Sequence, residues 1–178
     1  MLARVVLTVA AISVLPACPS PSPPPPAPSA SGTGVLVDPD GAPVAVAASY
    51  QGHVMVPDEE LPPRVVRDRA AFDAFVSLIP KERIQKKQPA PPSDDPLLSS
   101  PPIDFSRQML LVAFRTTTMY VHPELERPRM EGGKLVVDVA HPPLDDAAHP
   151  AAMHGVGTYC AIVVRAFDGE VEFRGPAK

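Results

Sequence analysis

The side chains best suited to chemistry in this sequence fall at two places far apart in the chain. Cys18 closes an apolar N-terminal run, in Leu15-Pro16-Ala17-Cys18. His141, Asp145, Asp146, His149 and His154 crowd a second segment, and Cys160 lies just beyond it. Imidazole with carboxylate is acceptable zinc chemistry, and Cys160 with His154 and Asp145 has the membership of a thiol triad. Spacing argues against both. The histidines fit neither the His-Glu-x-x-His helix nor a Cys/His ribbon. Pro142, Pro143 and Pro150 exclude a regular helix that would aim His149 and His154 together. Solvent-exposed loop histidines are therefore expected, and Cys160, set in an apolar run, is expected to act as a small buried hydrophobe. Nucleophile elbows, phosphate-cradling loops and recognisable carboxylate pairs are missing. Gly155-Val156-Gly157-Thr158 precedes a strand instead of opening a helix, so it reads as a flexible strand entry. The expectation is a protein with no catalytic residues, no metal ligands and no cofactor, and not an enzyme. The alternative is a metal-binding or metal-dependent envelope protein using the His141–His154 loop.

Cys18 takes its meaning from what precedes it. Arg4 supplies a positive start, Val5 to Val14 an apolar run, and small residues lead to the cysteine. That is the build of a secretory signal over residues 1–17. A permanent membrane span needs about 20 apolar residues, and this run meets Pro16 first. Leu15-Pro16-Ala17-Cys18 resembles the lipobox of bacterial lipoproteins. The resemblance implies a diacylglyceryl group on the Cys18 sulfur, cleavage just before it, and acylation of the new amino terminus. Two or more acyl chains anchor firmly where one is marginal. The partner implied is thus a membrane held through lipid. Pro19 stands where inner-membrane lipoproteins often carry Asp, which favours the outer membrane of a cell that has one.

Residues 18–33 form the lipidated Cys and a linker of Pro, Ser and Ala, with Pro23 to Pro26 unbroken. Such a stretch has nothing to bury and prefers extended polyproline II. Cleavage removes Arg4 and leaves 15 basic against 20 acidic residues, a net charge of −5. That balance excludes nucleic acid as a partner and excludes a polybasic membrane patch. With Cys18 acylated, Cys160 has no partner within the chain for a disulfide.

Residues 34–178 make one domain, and 26 prolines in the 178-residue chain demand short elements and long loops. Two β-type runs flank Asp38-Pro39-Asp40-Gly41 as a hairpin, and Val54 to Val56 is a short strand. Asp68 is a helix N-cap, with Phe72, Phe75, Val76 and Ile79 on one face and Pro80 closing the helix. Residues 81–102 read as a long surface excursion that opens with a basic cluster of Lys81, Arg83, Lys86 and Lys87. Met109 to Phe114 is a strand buried on both faces. Thr116 to Val121 has good strand residues. Gly132-Gly133 turns into the strand Lys134 to Ala140. Tyr159 to Phe167 and Val171 to Phe173 flank the tight pair Asp168-Gly169. The fold class is α+β, a small mainly antiparallel sheet of about four strands with one amphipathic helix.

The helix Arg67 to Ile79, the step Ile103-Asp104-Phe105-Ser106 before a buried strand, Gly132-Gly133-Lys134-Leu135-Val136-Val137, and a final Cys160 to Phe173 hairpin resemble the small domain named after the protease complex subunit PrcB. The likeness covers about residues 64–174. It implies a secreted or lipid-anchored accessory domain that stabilises a partner protein of the cell envelope, which for the namesake is a protease complex, with no catalytic residues to carry over.

Overall fold

A computed structural model describes residues 40–56, 61–85, 89–144 and 155–175, all within one unit, Leu36–Lys178. Cys18, the signal, the linker, the first arm of the expected hairpin, Lys86, Lys87, Asp145, Asp146, His149 and His154 lie outside the described residues. The elements run β1 Val46–Met55, β2 Arg64–Val66, α1 Arg69–Val76, a short 3-10 helix Pro96–Ser99, β3 Gln108–Arg115, β4 Glu124–Glu131, β5 Lys134–Ala140, β6 Val156–Arg165 and β7 Val171–Arg174.

Strands β3 and β6 are the centre of the fold, and their apolar runs follow from burial on both faces. They pair antiparallel in a four-stranded sheet of order β1-β6-β3-β2. One set of alternating side chains, Leu110, Val112, Phe114, Tyr159, Ala161 and Val163, packs under α1 against Phe72, Phe75 and Ile79. The opposite set, Met109, Leu111, Ile162 and Val164, packs on a second sheet through Met130, Leu135 and Val137. That second sheet has order β4-β5-β7, with β4 antiparallel and β7 parallel to β5. The helix begins as its sequence demands: extended Asp68 accepts a hydrogen bond from the Ala71 N–H at 2.7 Å. Phe72 and Phe75 supply the buried face, and the helix ends at Val76, before Pro80.

The described residues are α+β, with mainly antiparallel pairing and a single α-helix, but in seven strands and two sheets. Four expectations need correction. Val54 and Met55 are only the end of the ten-residue β1, and Val56 lies just past it. The second arm of the expected hairpin splits between the sheets: Pro43 bridges Arg129 of β4, and Val46 onward pairs with β6. Thr116–Val121 is a loop instead of a strand, folded back so that Val121 accepts the Thr158 hydroxyl and Thr118 accepts the Tyr120 N–H. Finally, β7 makes no hairpin with β6. The guanidinium of Arg67 holds the carbonyls of Phe167 and Gly169, and the chain crosses to lie beside β5.

Strand β4 was not expected, because Pro128 interrupts a charged stretch. The proline sits in a register shift between Glu126 and Arg129, where Arg127 adopts φ 46°. Gly132 and Gly133, both at positive φ, close the β4–β5 hairpin as a two-residue turn.

Candidate functional site

The long segment 81–102 is no simple surface excursion. Leu97 of its 3-10 helix is fully buried in the core under α1, and this anchor leaves a cleft of about 510 Å³ beside β1. Gln51, Gly52 and His53 of β1 form the floor. Residues from Ile79 to Ile84 and from Ser93 to Pro96 make one wall, and Met119 and His122 belong to the other.

The floor is a strand edge. The Val56 N–H bonds Gly155 O on the β6 side, whereas the Met55 N–H bonds Leu78 O on the far side. Alternation along the strand then points the backbone groups of Ser49, Gln51 and His53 outward. None of the backbone hydrogen bonds outside the strands and helices, among the described residues, takes them up.

Asp95 is the best-held side chain of the cleft. Its carboxylate accepts the Leu97 N–H at 2.9 Å, capping the 3-10 helix, and the Tyr159 hydroxyl at 2.9 Å. Tyr159 comes from β6, its ring set edge-on to Phe75 of α1 at 5.2 Å. Gly52 makes this approach possible, since a Cβ there would collide with Asp95 Oδ2 and come within 2.8 Å of the Tyr159 ring. Burial raises the Asp95 carboxyl above its ordinary value, opposed by the Leu97 and Tyr159 hydrogen bonds and by His53. Burial, and then the neighbouring Asp95, hold the Tyr159 hydroxyl protonated far beyond the usual phenol range. Tyr159 is therefore a hydrogen-bond donor and not a base.

On the other wall, His53 Nε2 lies 3.1 Å from Met119 O. A carbonyl can only accept, so Nε2 carries a hydrogen, and in the neutral ring it is Nδ1 that has the lone pair. The rings of His53 and His122 are 5.9 Å apart at 63°. Burial, then the charge of His53, push His122 toward its neutral form. Arg83 of the basic cluster is paired with Asp94 at 2.8 Å, both side chains being exposed, which is worth at most about 1 kcal/mol.

Of the chemically suggestive residues of the sequence, only His141 and Cys160 lie among the described residues. Cys160 is buried in β6, and burial pushes its thiol up, partly offset by Leu125, Gln51 and Ser49. His141 sits just past β5, pushed toward neutrality by desolvation and by Arg115, whose guanidinium bonds Pro142 O. Gly157 is no flexible entry: a Cβ there would lie 2.6 Å from Arg115 O. Among the described residues, no three His, Cys, Asp or Glu side chains form a metal-binding group, and no helix is long and apolar enough to cross a membrane.

His53, Asp95, His122 and Tyr159 went unread in the sequence because four distant segments supply them. No local motif ties them together, and the one hint was a glycine inside a strand, which signals close approach. No family model, curated protein or solved structure matches this chain.

Proposed function

We propose that this chain is a lipid-anchored protein of the bacterial cell envelope, tethered through Cys18 and its proline-rich linker. Its domain serves as a non-catalytic accessory module that binds and stabilises a partner protein. The observation that carries the binding reading is the outward edge of β1 opening into a walled cleft. An unpaired edge offers N–H and C=O groups to an extended segment of another chain. The resemblance to the PrcB domain that α1, the Ile103–Ser106 step and Gly132 to Val137 carry supports the same reading, with a protease complex as its specific form, although its final hairpin is not formed.

The test is site-directed photocrosslinking in membranes. A crosslinker at Ser49, on the β1 edge, should yield a discrete adduct with another protein. One at Glu172, on the second sheet, should not. Monomer alone from the Ser49 site would overturn the proposal.

A further inference from the structure

We infer that His53, His122 and Met119 form a binding site for a soft monovalent metal ion, Cu(I). The inference is independent of the partner-binding role.

Imidazole nitrogens bind first-row metals at about 2.0–2.1 Å, so two rings sharing one ion hold their centres within about 6.5 Å. The His53 and His122 rings, from β1 and from the loop after β3, are 5.9 Å apart. His53 already has the arrangement of a ligating histidine, because its Nε2 hydrogen is committed to the backbone carbonyl of Met119. Such a bond fixes the tautomer, leaves Nδ1 as the donor, and steadies the ring.

The third group selects the ion. Met119 lines the same cleft as both histidines, and its thioether is a soft ligand that suits Cu(I). Zinc needs a further imidazole, thiolate or carboxylate, and no three such groups gather among the described residues. The Cys160 thiol is buried in β6 and protonated, so it does not compete for the ion.

The experiment titrates full-length protein in detergent with Cu(I), held reduced by ascorbate under argon, against a chromophoric Cu(I) chelator. X-ray absorption of the bound metal gives the ligand types. The expected result is one tight equivalent with nitrogen and sulfur scatterers. His53→Gln and His122→Gln should each weaken binding by more than the about 10–100-fold typical of an outer-shell change. Met119→Leu should remove the sulfur scatterer, and His141→Ala should leave affinity unchanged. Unaltered melting of the metal-free variants establishes that they fold. Absence of a tight equivalent, an undiminished equivalent in the His53→Gln/His122→Gln double variant, or a bound metal without sulfur would each overturn the inference.

Discussion

Tyr159 and Asp95 are held together by burial, and the consequences can be measured one side chain at a time. Tyr159→Phe removes the donor from a half-buried carboxylate, and an acceptor left unpaired costs about 1–3 kcal/mol. Chemical denaturation should show a loss in that range. Gly52→Ala should destabilise by a similar amount, because the added methyl meets Asp95 and the Tyr159 ring and overpacking typically costs about 1–3 kcal/mol. The same burial sets a pH dependence. Tyr159 and Cys160 both have folded-state values raised above their ordinary ones of 10.0 and 9.0. Below those values the folded and unfolded chains bind the same protons, and stability is unaffected. Above them only the unfolded chain releases its proton. Stability therefore falls as pH rises, by up to about 1.4 kcal/mol per pH unit for each group. Unfolding midpoints measured from pH 7 to 10.5 should drop toward the alkaline end, and Cys160→Ala should remove the earlier part of the drop. A flat profile would contradict the burial of both groups.

At the scale of elements, the segment between α1 and β3 is a structural wall. Leu97→Ala should cost about 2–5 kcal/mol, the range for a buried leucine, whereas a surface loop would lose almost nothing. Thermal unfolding distinguishes the two outcomes. What was legible in the sequence was whatever local pattern dictates. The Asp68 cap, the Phe72 and Phe75 face, and the Met109–Phe114 run each needed only their own neighbours. Strand β1 was illegible over most of its length because it is an edge. Its polar residues Ser49, Gln51 and His53 alternate with partly buried ones, and nothing local requires ten residues of pairing. Strand β4 hid behind Pro128, which is tolerated there only because the register shifts. The parallel pairing of β7 depends on Arg67, about 100 positions away, holding the turn after β6. The cleft was hidden for the same reason, since tertiary contact alone assembles its residues.

Over the whole molecule, two central strands buried on both faces fix a rigid body, with α1 and the Leu97 segment on one side and the three-stranded sheet on the other. Function is then left to the margins: the open edge of β1, the cleft beside it, and the proposed tether at Cys18. The proposed tether is also the part that sequence alone expressed most fully, because a likeness to a lipobox is read along an extended chain and needs no fold. Intact mass of the protein extracted from cells, together with its partition between membrane and soluble fractions, tests that claim most directly. The expected chain starts at Cys18 and is heavier by its acyl groups, and a Cys18→Ser variant loses both the added mass and the membrane association. A Cys18→Ser protein of unchanged modification, equally membrane-bound, would contradict it.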